Sequence, residues 1–571
     1  MGQALFGATS HACNRSNVAQ GNDAVAPSDV TDTQWDAIII GAGLAGCTLG
    51  YALARAGRNV LFCEKGRSHR DNQRATRGAY PEIFFPHPET PKPEHREILS
   101  NAGRYHDQIE DQSTARQRTF IPFIGSGTGG SSALYGMAME RLSPADFEPR
   151  RCYPNVAETT LPEQWPISYA DLLPYYKVAE DLYRVRGAAD PLREAEVRDT
   201  LPPAPPLTPL GIELFDFFTQ KGLHPYRLPM ACEFVPGCKC CQGYLCDRNC
   251  KNDSSRVCLE PAMSLHGAKL LDECEILRLE ATRTEVTGVI CMWRGKQLTL
   301  RAKVVALAAG ALQSPCILLN SVSASWPQGL ANDSGLVGRN LMRHYTDLYL
   351  LSPATNVESD YRQKEIALND FYYANGNKLG TVQSFGRLPP ASVLAASMEA
   401  DLTDGGMPFA PILFRMVKPM VTRVLHRTMA RRAVLATVME DLPYRENLVK
   451  PISAVNGNGE ARVAISYKIR PRDLNRIKIF RALMANVLKP YRTMLIKQAE
   501  NNQLLAHACG TCRFGVHPRE SVLDSNNRAH ELSNLYVVDS SFFPSSGGTN
   551  PSLTIAANAL RVAAHLGAAM Q

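Results

Sequence analysis

Three glycines and one acidic residue near the N-terminus have the types and the spacing of a nucleotide-binding site. Gly41, Gly43 and Gly46 form a GxGxxG pattern, and Glu64 follows at about the 20-residue distance at which an acid binds a ribose. Glycine lets the chain turn tightly, lets the backbone approach a pyrophosphate and lets a helix pack on a strand. The carboxylate of Glu64 is placed to accept a hydrogen bond from a ribose hydroxyl. The pattern predicts a dinucleotide site without separating NAD from FAD.

The segments around these residues are the elements that such a site requires. The apolar run at residues 37–40 predicts a buried parallel strand, and a helix is expected from the glycines to about Ala56. Residues 59–63 predict a second strand that ends at Glu64. Strand, glycine turn, helix, strand and acid in this order indicate a Rossmann-like unit.

A stretch near the C-terminus predicts a helix end that faces an anion. An apolar strand at residues 535–538 runs into Asp539 and a turn rich in Ser, Gly and Pro, and Asn550-Pro551 follows. Asn is a favourable N-cap and Pro is favourable at the first helical position, so a helix is predicted to begin at Pro551. Its N-terminus carries partial positive charge and free N–H groups, which suit an anionic cofactor ring.

The composition indicates a soluble globular protein with more than one domain. A chain of 571 residues is too long to fold around one simple hydrophobic core. A net charge of +7 is small for this length and does not indicate a nucleic-acid partner. The sequence has no run of about 18 apolar residues, so no spanning helix is expected. The first 34 residues are polar and lack an apolar signal core, so they predict a disordered tail. A cytoplasmic enzyme is the simplest interpretation.

Five separated segments, in the same order, resemble the glucose–methanol–choline (GMC) family of FAD-dependent oxidoreductases. The segments are the GxGxxG unit, PFIGSGTGGSSALYGMAMER at 122–141, WPISYADLLPYYKVAE at 165–180, VVALAAGALQSPCILLNS at 304–321 with GLVGRNLMRH at 335–344, and HACGTCRFG at 507–515 with the C-terminal stretch. They span most of the chain from residue 36 to residue 566.

The resemblance implies a mixed α/β (α+β) fold. A Rossmann-like FAD-binding domain, discontinuous in sequence, would carry an inserted substrate domain built on an antiparallel sheet with helices. The expected FAD-binding segments are 35–141, 260–345 and 501–571, and the expected substrate segments are 142–259 and 346–500. Local patterns agree, because residues 263–310 alternate as strands of a β-meander do.

The resemblance also implies cofactor contacts. They are expected at Gly41, Gly43, Gly46, Glu64, Gly129, Gly130, Ser131, Ile276, Asp539, Asn550 and Pro551. Ile276 would meet the adenine through its backbone. Asp539 has two interpretations, a contact with the ribityl or phosphate region or a cap of the following turn. Some members bind FAD covalently through a His, whose place is taken here by Ala133, so non-covalent FAD is predicted. Tyr135 stands where several members have an Asn that contacts the flavin, which puts that contact in doubt.

The family's catalytic base falls on His507, and its usual partner falls on Asn550. Neutral imidazole suits removal of a hydroxyl proton because its ordinary pKa lies near working pH. Asn550 would hold the substrate oxygen. From the residues alone, the favoured interpretation of His507 is a buried histidine that bonds a carbonyl, and the resemblance reverses that preference. His344 and His517 are interpreted as structural.

Six cysteines lie close together in the sequence, at positions 238, 240, 241, 246, 250 and 258. Some GMC dehydrogenases hold an iron–sulfur cluster in such a segment, although the spacing fits common iron–sulfur or zinc templates poorly. Disulfides and reduced structural thiols are the other interpretations. An iron–sulfur cluster or zinc at residues 238–258 is therefore not the main expectation.

Residues 409–432 mix apolar and basic side chains at helical spacing, with Pro419 predicted to interrupt the helix. A helix that covers the active site is preferred over contact with a partner or a membrane surface, and membrane contact is not expected.

The function implied by the resemblance is FAD-dependent oxidation of an alcohol CH–OH group. Family members from aminoglycoside antibiotic biosynthesis that act on paromamine-like sugars carry similar Cys-rich segments, which favours a sugar or amino-sugar primary hydroxyl. The electron acceptor would be O2 or another acceptor. The alternatives are a dehydrogenase that passes electrons to a partner through a Cys-rich cluster, and a non-redox lyase that contains FAD.

Overall fold

The computed structural model describes residues 27–70, 72–85, 93–114, 117–193, 201–355, 364–386, 388–404, 409–429, 432–452, 462–502 and 505–570. The α-helices are α1 (Pro27–Thr31), α2 (Leu44–Arg55), α3 (Arg96–Asn101), α4 (Ser131–Leu134), α5 (Tyr169–Leu182), α6 (Pro209–Gln220), α7 (Glu260–His266), α8 (Gly310–Asn320), α9 (Ala391–Asp404), α10 (Ala410–Met429), α11 (Pro471–Val487) and α12 (Ser552–Ala569). The strands are β1 (Gln34–Ile40), β2 (Val60–Cys63), β3 (Ile109–Asp111), β4 (Arg118–Phe120), β5 (Val185–Arg186), β6 (Tyr226–Arg227), β7 (Met230–Ala231), β8 (Lys269–Leu271), β9 (Cys274–Ala281), β10 (Val286–Trp293), β11 (Lys296–Leu307), β12 (Tyr345–Ser352), β13 (Ile366–Leu368), β14 (Tyr373–Ala374), β15 (Asn377–Lys378), β16 (Gly380–Ser384), β17 (Ala433–Met439), β18 (Leu448–Ile452), β19 (Arg462–Ser466), β20 (Arg492–Lys497) and β21 (Leu535–Val537).

A parallel sheet in the order β8-β2-β1-β11-β21 carries the nucleotide elements. The paired segments of its central strands, at 37–40, 60–63 and 304–307, are apolar and buried, as is typical of a parallel sheet that is covered on both faces. β11 is shared, since its first half pairs antiparallel with β10 and its second half pairs parallel with β1. The meander β9-β10-β11 is thereby joined to the parallel sheet, and the Rossmann-like unit is confirmed.

A second sheet in the order β20-β12-β17-β16-β13-β6 is antiparallel throughout. Its middle strand, β17, is buried along its whole length. A smaller sheet in the order β18-β19-β3-β4 adjoins these elements. The predicted mixed fold, with an antiparallel sheet beside the FAD-binding unit, is confirmed.

The last helix, α12, packs on α2 and α5 along its small side chains. This contact places α12 beside α2, the helix that follows the GxGxxG turn, and the end of α12 lies near Arg58, which donates to the Gly567 carbonyl. The start of α12 differs from the sequence prediction. Pro551 occupies the N-cap position, the helix begins at Ser552, and no side chain caps it.

Two further local predictions were wrong in part. Residues 27–34 were assigned to a disordered tail, but Pro27–Thr31 is helical and β1 begins at Gln34, while the remainder of the predicted tail lies outside the described residues. Pro419 was expected to interrupt its helix, but α10 continues through it. Pro419 lies on the exposed side of a surface helix, where packing of the opposite side on a neighbouring helix holds both halves in line.

Candidate active site

The first glycine turn leaves no room for a side chain at Gly41 and Gly46. Gly41 has φ +103°, and a Cβ there would lie 2.5 Å from the Ala308 carbonyl oxygen. A Cβ on Gly46 would lie 2.0 Å from the Gly41 carbonyl oxygen. Gly43 is the N-cap of α2 and provides no side-chain cap. The first N–H groups of α2 therefore have no side-chain acceptor and suit a phosphate.

A second glycine turn lies directly on the first. The Gly129 N–H donates to the Ala42 carbonyl over 2.7 Å. Gly130 has φ +49°, and a Cβ there would lie 2.9 Å from the Gly43 Cα. Ser131 begins α4. Two backbone-lined turns thus face each other beside the start of α2, which fits the diphosphate of a dinucleotide.

Glu64 is buried and bound to backbone. Its carboxylate accepts from the N–H groups of Ala42, Gly66 and Gly127 at 2.8, 2.8 and 3.1 Å. Desolvation raises the pKa of Glu64 although these donors oppose it. Because an ionised carboxylate offers about four acceptor sites, three donors leave room for one more. Contact with a ribose hydroxyl stays a prediction.

Asp539 acts as a cap within the protein. Its carboxylate accepts from the N–H of Gly310, at the start of α8, over 2.9 Å and from the N–H of Ser541 over 2.9 Å. Ser314 also donates to it over 2.5 Å. The geometry supports the capping interpretation of Asp539. Ile276 lies in β9, opposite Cys291 of β10, and its contact with adenine stays a prediction.

The turn at residues 545–550 is held from several sides. The Trp165 indole donates to Ser545 over 2.7 Å, and the Gly548 N–H donates to the Tyr372 hydroxyl over 2.8 Å. The Thr381 N–H, in β16, donates to the Gly548 carbonyl over 2.9 Å. The antiparallel sheet, through Thr381, and the side chains of Trp165 and Tyr372 fix this turn, so its carbonyl and side-chain directions are set by the fold.

His507 and His344 contact each other at one edge of this turn. Their Nδ1 atoms lie 3.1 Å apart, and the Nε2 atom of His344 lies 3.1 and 3.0 Å from the carbonyl oxygens of Ser546 and Gly547. Carbonyls only accept hydrogen bonds, so His344 carries its proton on Nε2 and presents a lone pair on Nδ1. His507 then donates from Nδ1, and its Nε2 is left with a free lone pair.

Both histidines are kept neutral by their surroundings. Burial lowers the pKa of His344 to about 4. Desolvation, with smaller contributions from His344 and the Lys364 ammonium, lowers the pKa of His507 to about 3. A neutral imidazole with a free Nε2 is a base at neutral pH.

Asn550 is oriented by a chain of amide and carboxylate groups. Its Oδ1 accepts from Gln383 Nε2 over 2.5 Å, and the same Gln383 nitrogen donates to Glu140 over 2.6 Å. Thr549 also donates to Glu140 over 2.7 Å. With Oδ1 occupied, Asn550 presents its NH2 group as a donor. Its side chain does not cap α12, contrary to the sequence prediction, because it is bound to Gln383 instead.

Lys364 adds a positive charge to this region. Its side chain is 95% buried, and burial lowers its pKa to about 8, opposed in part by Glu140. A Cβ on Gly136 would lie 2.4 Å from its Nζ and 2.6 Å from Gln242 Oε1. The ammonium therefore lies against the glycine of the segment that the sequence assigned to flavin binding.

Four residues of the site were not predicted. His344 ends the GLVGRNLMRH segment, which was the only available signal, and the sequence favours a structural interpretation of it. Glu140, Lys364 and Gln383 carry no local pattern. His517 is exposed and stays outside the site. The Tyr135 hydroxyl donates to the Asn252 carbonyl over 2.7 Å.

The cysteines form a cluster that differs from the one expected. Cys238 Sγ lies 3.2 Å from Cys250 Sγ and 3.6 Å from Cys232 Sγ, and Cys246 Sγ lies 3.5 Å from Cys250 Sγ. All cysteines of the described residues are free thiols. Cys232, outside the expected segment, joins the group, whereas Cys258 contacts the Tyr183 hydroxyl elsewhere.

Comparisons with known proteins agree with this geometry. Residues 224–346 and 443–559 match the two conserved regions described as GMC oxidoreductase, and residues 36–89 match an FAD binding domain. The chain belongs to the GMC oxidoreductase family. As a GMC oxidoreductase it uses FAD and oxidises alcohols at a CH–OH group, with an electron acceptor to complete the cycle. Two glycine turns of this geometry suit the diphosphate of FAD.

Two curated relatives of this GMC oxidoreductase match almost its whole length. It is 29% identical to 6'''-hydroxyparomomycin C oxidase of Streptomyces lividus, over 94% of this chain and 93% of the relative. It is 28% identical to paromamine 6'-oxidase of Streptomyces fradiae, over 93% of this chain and 91% of the relative. Its fold is similar to that of pyridoxine 4-oxidase from Mesorbium loti, with a TM-score of 0.61, 20% identity, and coverage of 93% of this chain and 99% of that one. Among the described helices, none combines the length and the apolar composition of a bilayer-crossing segment.

Proposed function

We propose that His507 is the base that removes the hydroxyl proton of the alcohol. The observation that carries the proposal is the Nδ1–Nδ1 contact with His344, which leaves the His507 Nε2 lone pair free. Asn550 donates from its NH2 group to the substrate oxygen and stabilises the charge that develops there. Bound FAD supplies the acceptor for the hydride that leaves the adjacent carbon.

The remaining contacts of the site orient its side chains and determine the charge around them. Gln383 and Glu140 hold Asn550 as a donor, and the 545–550 turn aligns His344 with His507. The start of α12 has no side-chain cap, and its positive end would stabilise negative charge on a bound flavin. The cofactor contacts proposed for this chain are Gly41, Gly43, Gly46, Glu64, Gly129, Gly130, Ser131, Ile276, Asp539, Asn550 and Pro551, with FAD held non-covalently. Residues 35–141, 260–345 and 501–571 form the proposed FAD-binding domain.

For the substrate we propose a primary hydroxyl of a sugar or amino sugar. The names of the two Streptomyces relatives, both oxidases of aminoglycosides, support this class. Lys364 restricts which substrates can bind, because its ammonium lies close enough to His507 to lower the pKa of that imidazole. An amino sugar must keep its own ammonium away from Lys364, whereas a neutral hydroxyl there can accept a hydrogen bond.

The test is anaerobic bleaching of the flavin absorbance with a panel of alcohols. The panel pairs each amino sugar with the neutral sugar that carries the same primary hydroxyl, and air is admitted afterwards. Bleaching by the sugars and reoxidation by air support an oxidase. Bleaching without reoxidation rejects the oxidase, and no bleaching across the panel argues for the lyase alternative.

His507→Ala separates chemistry from cofactor binding. The flavin should stay bound, and the bleaching rate should fall by roughly 10²- to 10⁴-fold, the usual contribution of a general base. The control is His517→Ala, an exposed histidine of the same segment, which should bleach at the wild-type rate. Retained fast bleaching in His507→Ala would show that another group is the base.

A second candidate function is a dehydrogenase that passes electrons to a partner. The observation that favours it is the thiol group of Cys232, Cys238 and Cys250, whose Sγ atoms all lie within 4.8 Å of one another. Buried cysteine sulfurs this close together could bind zinc or an iron–sulfur cluster on losing their protons, and iron would provide a one-electron relay. Iron, zinc and acid-labile sulfide are to be measured in protein purified without air. Iron with sulfide supports the dehydrogenase, whereas zinc or no metal leaves the oxidase.

A further inference from the structure

One helix face in the described residues exposes far more apolar surface than the rest of the molecule. Of seventeen exposed large apolar side chains, seven lie between residues 409 and 424, and each is between 41% and 77% exposed. They are Phe409, Ile412, Leu413, Met416, Val417, Met420 and Val424. Apolar side chains that are exposed singly are ordinary, but a contiguous patch of this kind marks an interaction surface.

Six of the seven side chains share one face of α10, and Phe409 directly precedes the helix. At about 100° per residue, the six that lie within α10 occupy an arc of roughly 140°. The opposite face of α10 is used for folding, since Leu425 is buried there with Ala391, Leu394 and Ala395 of α9. The exposed face is therefore in excess of what the α9–α10 hairpin needs for its own core.

The charges of α10 have one sign. The helix contains Arg415, Lys418, Arg423 and Arg427 and has no Asp or Glu. Arg415 and Lys418 bind Glu399 of α9, on the folding side. Arg423 and Arg427 are exposed and fall within the arc of the apolar side chains. The exposed face is thus apolar in its N-terminal part and cationic near its C-terminal end.

We propose that this face of α10 docks flat on the surface of an anionic lipid bilayer. Apolar side chains would enter the boundary between headgroups and acyl chains, and Arg423 and Arg427 would meet lipid phosphates. A second copy of the chain fits less well. Two α10 faces packed together would either oppose the cations of both copies or bury them against apolar side chains. No described helix can cross the bilayer, so the contact is peripheral.

The experiment is flotation of the FAD-loaded full chain with vesicles. One set contains equal parts of phosphatidylglycerol and phosphatidylcholine, and the other contains phosphatidylcholine alone. The wild-type chain should float with the anionic set. Leu413→Ser/Met416→Ser/Met420→Ser should reduce the floated fraction by roughly tenfold, since the buried apolar area sets the strength of interfacial binding. Arg423→Gln/Arg427→Gln should remove the preference for anionic vesicles.

The matched control is Leu265→Ser/Val516→Ser, which removes two exposed apolar side chains from other parts of the surface. It should float like the wild type. Flavin absorbance and alcohol-dependent bleaching show that each variant is folded. Failure of the wild-type chain to float with either set overturns the proposal. A second result would also overturn the proposal: the wild type does not float, and sedimentation velocity shows a concentration-dependent dimer that the triple variant abolishes. That result would assign the face to a second copy of the chain.

Discussion

The Nδ1 atoms of His344 and His507 lie 3.1 Å apart, with the two rings nearly perpendicular at 89°. This contact links the backbone of the 545–550 turn to the proposed base, because the carbonyls of Ser546 and Gly547 fix the proton of His344 on Nε2. His344 thereby sets the tautomer of His507 without touching the substrate. It is a positioning residue, and its role can be separated from that of the base.

The first prediction concerns His344→Leu. The substitution removes the acceptor for the His507 Nδ1 proton, so the imidazole can turn or take the other tautomer. One buried hydrogen bond is worth about 1–3 kcal/mol, which corresponds to a loss of roughly tenfold to hundredfold in the rate of flavin bleaching. His344→Gln, whose side-chain carbonyl can accept, should recover part of the rate. Stopped-flow reduction measures both, and a wild-type rate in His344→Leu would contradict the positioning role.

The second prediction concerns stability in acid. The pKa of His344 is lowered to about 4 in the folded chain from an ordinary value of about 6.5. Below pH 6.5 the unfolded chain therefore binds a proton that the folded chain refuses, so stability falls as the pH drops towards 4. At pH 5 this loss amounts to about 2 kcal/mol.

The measurement compares wild type and His344→Leu by denaturant unfolding at pH 7 and pH 5. The wild type should lose more free energy of unfolding between these values than the variant, since the variant lacks the titrating group. The difference between the two proteins is the quantity to compare, because titrating groups that do not contact His344 cancel in it. Equal losses would show that His344 is not held neutral.

The third prediction concerns Gln383→Leu. Without the Gln383 amide, Asn550 can rotate and present its oxygen, which repels the developing charge on the substrate oxygen. We expect kcat to fall by about tenfold, the effect of one misdirected hydrogen bond, with the flavin spectrum unchanged. Gln297→Leu, an exposed glutamine in β11, is the control and should keep the wild-type rate. A change in KM alone, with kcat intact, would show that Gln383 serves binding only.

The fourth prediction concerns Gly130→Ala. The new methyl group would lie 2.9 Å from the Gly43 Cα at φ +49°, and it would push apart the two glycine turns. The purified variant should contain much less FAD per chain than the wild type. Gly222→Ala is the control, because Gly222 has φ +73° with nothing within 4 Å of a Cβ. If both variants lose FAD equally, backbone strain and not the cradle explains the loss.

Local elements at the two ends of the chain could be predicted because their patterns are strong. The strand before Gly41, the helix that follows it and the strand before Glu64 all lie within a few residues of their expected bounds. The start of α12 was missed by one residue because Asn550, a good cap by type, is bound to Gln383 instead. A residue from a distant strand overrode the local preference.

The sequence alone determined the glycine turns, the acid after the second strand and the position of His507 in its segment. These features depend on neighbouring residues, through the steric limits of the backbone and through the motifs of the family. Tertiary structure alone decided which groups surround His507 and Asn550. His344, Gln383, Glu140 and Lys364 come from separate segments, and they meet only because the antiparallel sheet packs against the 545–550 turn. Long-range packing leaves no periodicity in the chain, so neither the tautomer of His507 nor the direction of Asn550 could be predicted before the fold was known.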